Sequence, residues 1–193
     1  MPRTKQFCEE EILNKAMELF WEKGFHATSM QDLVSHLGIN RASLYDTYGG
    51  KAQLFDKAFA HYRKSFGGWI TQLLDGESTV RAGFKKLFEA TIEEAVNDDC
   101  RKGCFVVNTT TELIPGNEKI HHVLMENKTK AEHLFIGHVQ KGINSGELSS
   151  SKDAQTIGLM LFTLYNGLRV VSKIDTDREK LRKVMDSGLS VLD

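Results

Sequence analysis

Proline is scarce in this 193-residue chain: there are two. Few prolines leave the backbone free to run in long uninterrupted helices. Cysteine is also scarce, with three residues, Cys8, Cys100 and Cys104. An odd number without framework spacing excludes a disulfide-stapled secreted scaffold. Charge of one sign is lacking too, since the formal net charge is -1. A nucleic-acid-binding face must therefore be local, with acids segregated elsewhere. The longest nearly apolar stretch, residues 157 to 165, is too short for a membrane span. No apolar segment follows the first residues, so no signal peptide and a cytoplasmic location are expected. Apolar residues at 40% and charged residues at 26% describe an ordinary globular protein.

What is present is helical periodicity almost from end to end. Ile12, Leu13, Ala16, Met17, Leu19 and Phe20 recur on one face, so a helix is predicted from about residue 8 to 23. Gly24 stops it, and Phe25 is expected to fold back on that face. Thr28-Ser29 with Gln31-Asp32 has the capping-box pattern and opens a short second helix ending at Gly38. Asn40 caps a third helix, broken by Gly49-Gly50. A long fourth helix starts at Lys51, with Gly67-Gly68 as an expected interruption or kink. Five more follow, over about 79–97, 104–113, 118–144, 152–173 and 177–192. The eighth is apolar all round, which predicts burial by a second subunit through the last two helices. Leu161, Leu164, Leu168 and Val171 are expected at or beside that interface. The fold class is thus all-α with about nine helices. Residues 1–50 form a head and residues 51–193 a body.

Two short helices joined through Gly38-Ile39-Asn40 have the layout of a helix-turn-helix, whose second helix lies in the major groove of DNA. Arg41 has the fork that reads guanine, and Ala42 is small enough for close approach. Asn40, Ser43, Tyr45, Tyr48 and Thr28 offer polar groups to phosphate, and Lys51 sits at a helix start. Arg3 and Lys5 suggest a loose basic arm. The whole register, from Gly24-Phe25 through Thr28-Ser29 and Gly38-Ile39-Asn40 to Leu44-Tyr45-Asp46-Thr47-Tyr48-Gly49-Gly50-Lys51, resembles the TetR family of regulators over about residues 8 to 60. The resemblance implies an all-helical dimer with a ligand cavity in its C-terminal part, repression as the default, and release of double-stranded DNA on binding a small-molecule effector. Val34 stands where the family has Ala, Asp46 puts an acid in the third helix, and Gly50 replaces a polar cap. These departures bear on affinity and sequence preference.

For the effector, the candidate lining on the fifth and sixth helices is Phe84, Phe88, Thr91, Phe105, Asn108, Thr109 and Glu112. Phe135, Val139, Phe162 and Tyr165 complete it from the next two helices. Core packing is the competing reading for each aromatic; Asn108 and Glu112, four apart on an apolar helix, are the informative pair. Cys104, at a helix start near Arg101 and Lys102 with Cys100 close by, raises a thiol-responsive alternative. An all-α ligand carrier or enzyme is the other alternative, opposed by the absence of any catalytic constellation. Glu118-x-x-His121 occurs once where a di-metal site needs two copies, so no metal and no cofactor are expected.

Overall fold

The computed structural model describes residues 9–193, so Arg3, Lys5 and Cys8 lie outside the described residues. Among these residues the chain forms nine α-helices and a closing 3-10 turn. They are α1 (Glu9–Lys23), α2 (Met30–Leu37), α3 (Arg41–Tyr48), α4 (Lys51–Asp75), α5 (Val80–Val96), α6 (Phe105–Leu113), α7 (Glu118–Ser145), α8 (Ala154–Val171) and α9 (Arg178–Leu189). The all-α reading and the helix order are therefore as expected. The chain divides into two compact units at Ser65/Phe66, inside α4. No helix among the described residues is long and apolar enough to cross a membrane.

In the first unit the predicted face of α1 is buried through Ile12, Ala16, Leu19 and Phe20. Phe25 does fold back: its ring meets Phe55 edge-on at 5.1 Å, and Phe55 meets Phe20 at 5.2 Å. Leu33 and Leu37 of α2, Leu44 and Tyr48 of α3, and Leu54, Phe55, Ala58, Phe59 and Tyr62 of α4 are buried with them.

In the second unit, Phe84, Leu87, Phe88, Phe135, Val139, Leu161 and Tyr165 form the centre of the core. Helix α8 crosses α7 closely. A β-carbon placed on Gly158 would stand 2.6 Å from the Ile136 Cα, so only glycine permits this approach. Gly67 and Gly68 do not break α4, which runs through them, and a β-carbon on either would meet nothing within 4 Å.

His138 of α7 is 6% exposed, and neither ring nitrogen has a hydrogen-bond partner among the described residues. Burial pushes its pKa down from the ordinary 6.5, and Lys141 adds to this; Asp75 and Glu147 pull the other way and lose. A depressed histidine favours the folded state above its unfolded pKa. That contribution is lost as pH falls through the folded value, below 6.5. The urea midpoint of wild type is expected to drop on acidification below this point. His138→Leu removes the titration and is expected to flatten that part of the profile. Parallel profiles for the two proteins would refute the assignment.

Candidate DNA-reading surface and the body's polar cluster

The two short helices are held by their own ends. Ser29 caps α2: its hydroxyl accepts the Asp32 N–H at 3.0 Å, and the Asp32 carboxylate accepts the Ser29 N–H at 2.8 Å. Lys23, at the end of α1, donates to Asp32 at 2.8 Å and, with the Ser29 bonds, holds that carboxyl well below the usual carboxylate range. Gly38 closes α2 at φ 68°, a left-handed conformation that a side chain resists. Asn40 opens α3 by accepting the Ser43 N–H at 2.8 Å. Turn and cap together fix the direction of α3.

Helix α3 buries Leu44 and Tyr48 and leaves Arg41, Ala42, Tyr45 and Asp46 exposed. The Arg41 guanidinium lies 5.9 Å from the centre of the Tyr45 ring, which is 46% exposed. Asn40 is exposed and Ser43 half-buried. Lys51, half-buried at the start of α4, places its ammonium 4.5 Å from the centre of the Phe25 ring. Two of the expected polar residues go inside instead. Thr28 is fully buried and its hydroxyl donates to the Gly24 carbonyl at 2.6 Å, tying the α1 end to the α2 start. Tyr48 is 4% exposed, with Lys57 facing its ring at 5.1 Å. Their geometry suits them to shape the surface rather than to form it.

In the body, the candidate effector residues converge mostly as solid core. Phe84, Phe88, Phe105 and Phe135 are at most 2% exposed, and Val139 is fully buried. The Phe135 ring packs against Phe84 at 5.4 Å and against Phe162 and Tyr165 at 5.7 Å each. Thr91 donates to the Leu87 carbonyl at 2.8 Å, and Thr109 is buried with no partner for its hydroxyl among the described residues. Burial pushes the Tyr165 hydroxyl up to about 12. Asn108 is committed on both sides, donating to the Lys102 carbonyl and accepting from Lys173. Glu112 is half-buried on α6. Cys104 is 3% exposed and its side chain makes no cap bond at the start of α6, whereas Cys100 is exposed. No group of three or more metal-ligating side chains occurs among the described residues.

The residue that sequence reasoning passed over is Arg169. It is the single charge within the apolar run of α8, and a charge in such a run must be either exposed or paired. It is buried, and it pairs with Glu94 of α5.

The family profile described as "Bacterial regulatory proteins, tetR family" matches residues 12–58. A second, "Tetracyclin repressor-like, C-terminal domain", matches residues 82–187, more than half of the chain. The chain belongs to the TetR family. It is a DNA-binding transcriptional regulator, and the family is one of regulators rather than enzymes. Among curated relatives, the uncharacterized HTH-type transcriptional regulator YezE of Bacillus subtilis is 30% identical over 100% of both chains. The HTH-type transcriptional repressor ComR of Escherichia coli is 27% identical over 97% of this chain and 90% of its own. Among solved structures, a cysteine mutant of the TetR-family regulator CifR, complexed with 26-base-pair operator DNA, superposes with a TM-score of 0.88. It is 28% identical, over 99% of this chain and 100% of that one. The TetR match to the head spans α1 through α3 and the start of α4.

Proposed function

We propose that this chain is a ligand-responsive repressor that binds a palindromic operator as a homodimer and is released by a small molecule held in the body. The observation that carries the DNA half is the exposed face of α3. Arg41, Ala42 and Tyr45 lie there behind the Asn40 cap, on a helix whose direction is fixed by Gly38. CifR with its operator and the repressor ComR support the same reading. Arg41 reads a guanine edge; Asn40, Ser43, Tyr45 and Lys51 hold phosphates.

Dimerisation is assigned to α8 and α9. Met160, Leu164, Gly167 and Val171 fall at i, i+4, i+7 and i+11 on α8, a stripe left exposed or half-buried. Val184 and Gly188 of α9 adjoin it, with Leu164 lying against Gly188. This corrects the expectation for two residues. Leu161 and Leu168 are 0% and 3% exposed and point into the protomer's own core, because α8 packs one side on α7. A two-fold dimer would offer recognition helices to successive major grooves, about 34–36 Å apart. The effector acts by its preference for one body conformation. It is expected near Thr91, Asn108, Thr109 and Tyr165, where polar groups interrupt the aromatic core.

The test is operator binding. Arg41→Ala is expected to cost about 1–3 kcal/mol and to relax preference at one base pair. Lys51→Ala is expected to weaken binding to all sequences alike and to flatten its salt dependence. Selection from a random DNA pool supplies the operator. Wild-type binding by both variants across a salt series would refute the assignment of α3.

A further inference from the structure

Arg169 is 3% exposed, and a guanidinium so placed must be surrounded by partners. It forks onto Glu94 at 3.2 and 3.4 Å and donates to the Tyr165 hydroxyl at 3.2 Å and the Gly103 carbonyl at 3.5 Å. Its charge also faces the Phe66 ring of α4, 4.7 Å from the centre. Beside it opens a cavity lined by Thr91, Glu94, Asp98, Arg101, Arg169 and Lys173, among others. The cavity is partly open to solvent and measures ≈ 300 Å³ including that open space, with room for about one water-sized group among its lining.

The charges of the lining do not balance. Arg101, Arg169 and Lys173 are cationic, and Glu94 and Asp98 are acidic. Glu94 is committed to Arg169. Asp98 is committed to the loop, accepting the N–H groups of Lys102 at 2.6 Å and Cys100 at 3.2 Å. Lys173 donates to the neutral side-chain carbonyl of Asn108 at 3.0 Å, so its charge has no carboxylate partner among the described residues. Arg101, exposed within that lining, sits at φ 51°, a left-handed conformation uncommon outside glycine.

The geometry points to a site for a small monoanionic effector of the carboxylate class, held by Lys173 and Arg169 within the cavity and met by Arg101 at its mouth. This deepens the ligand-responsive reading and rests on it. One negative charge matches the excess of one cation; a dianion would meet Glu94 and Asp98 with charge left over. A carboxylate drawn to Arg169 competes with Glu94 for the same fork. The guanidinium then bears differently on α5 through Glu94 and on α4 through Phe66. These are the differential contacts by which a ligand shifts a conformational equilibrium.

Calorimetric titration of the full chain with benzoate and butyrate tests the site, with benzamide and inorganic phosphate as comparisons. A carboxylate is expected to bind, and benzamide to bind at least about tenfold more weakly. Arg169→Met risks unfolding the body, so the main variant is Lys173→Met, at a half-buried position. It is expected to weaken carboxylate binding by about tenfold or more. No carboxylate binding, equal binding of benzamide, tighter binding of phosphate, or undiminished binding by Lys173→Met would each overturn the site. Operator release, followed in the same samples, reads on the ligand-responsive function alone. Binding without release supports the site while removing its regulatory use. Release by benzamide without carboxylate binding overturns the site and leaves the function standing.

Discussion

Phe135→Ala is expected to destabilise the body by about 3–5 kcal/mol, measured as a shift in the urea-unfolding midpoint. The ring is fully buried, with Phe84, Phe162 and Tyr165 packed against it at 5.4 to 5.7 Å. Truncation removes its apolar contacts and leaves a void that helices α5, α7 and α8 cannot close without moving. Against the roughly 5–15 kcal/mol that holds a typical domain together, this is a large fraction. The same variant separates core from cavity lining. A ring that lined a ligand space would have open volume on one side, and its loss would cost well under about 2 kcal/mol while altering the response to effector. A small shift of the midpoint would therefore return Phe135 to the effector site.

Val184→Glu should dissociate the proposed dimer. Val184 is 47% exposed on α9, beside the α8 stripe that includes Val171 at 50% and Met160 at 41%. On an isolated protomer, a glutamate there is a surface change worth no more than about 0.5 kcal/mol. In a two-fold interface it enters twice, buried and unpaired. An uncompensated buried charge in such a setting costs about 3–5 kcal/mol, or roughly two to three and a half decades in the dimer dissociation constant. Sedimentation equilibrium reads the dissociation, and operator titration reads the accompanying loss of palindrome binding. An intact dimer at micromolar concentration, with unchanged operator affinity, would place the interface elsewhere.

The order and approximate extent of the helices were legible because each begins or ends on chemistry local to it. Ser29 with Asp32, Asn40, Gly38 and Gly146 act within a few residues, and sequence shows them directly. The buried face of α1 followed from spacing for the same reason. Long-range choices were not legible. That Thr28 turns inward to the Gly24 carbonyl depends on how α1 ends against α2. That Leu161 and Leu168 are buried in the protomer's own core depends on long-range packing such as the Gly158–Ile136 approach, and an apolar residue gives no sign of which apolar neighbour it will meet. Arg169 was passed over within the apolar run of α8, because the partner that lets its charge be buried, Glu94, lies 75 positions away. The aromatic residues of α5 to α8 were identified as inward-facing. Periodicity does not tell a packed ring from one bordering a space.

Glycine pairs usually mark a turn or a tight crossing, and Gly67-Gly68 marks neither. Each costs the helix about 1 kcal/mol relative to alanine, with no contact to justify it. The hydrogen-bonded ladder of α4 is thus weakest just past its midpoint, where the two compact units divide. In elastic terms, α4 resembles a rod thinned at one place more than a uniform one. Bending energy concentrates there, and backbone amides near residues 67–72 should exchange with solvent sooner than those of the flanking turns. A strain delivered to α4 by Phe66 would arrive one residue before this compliant point.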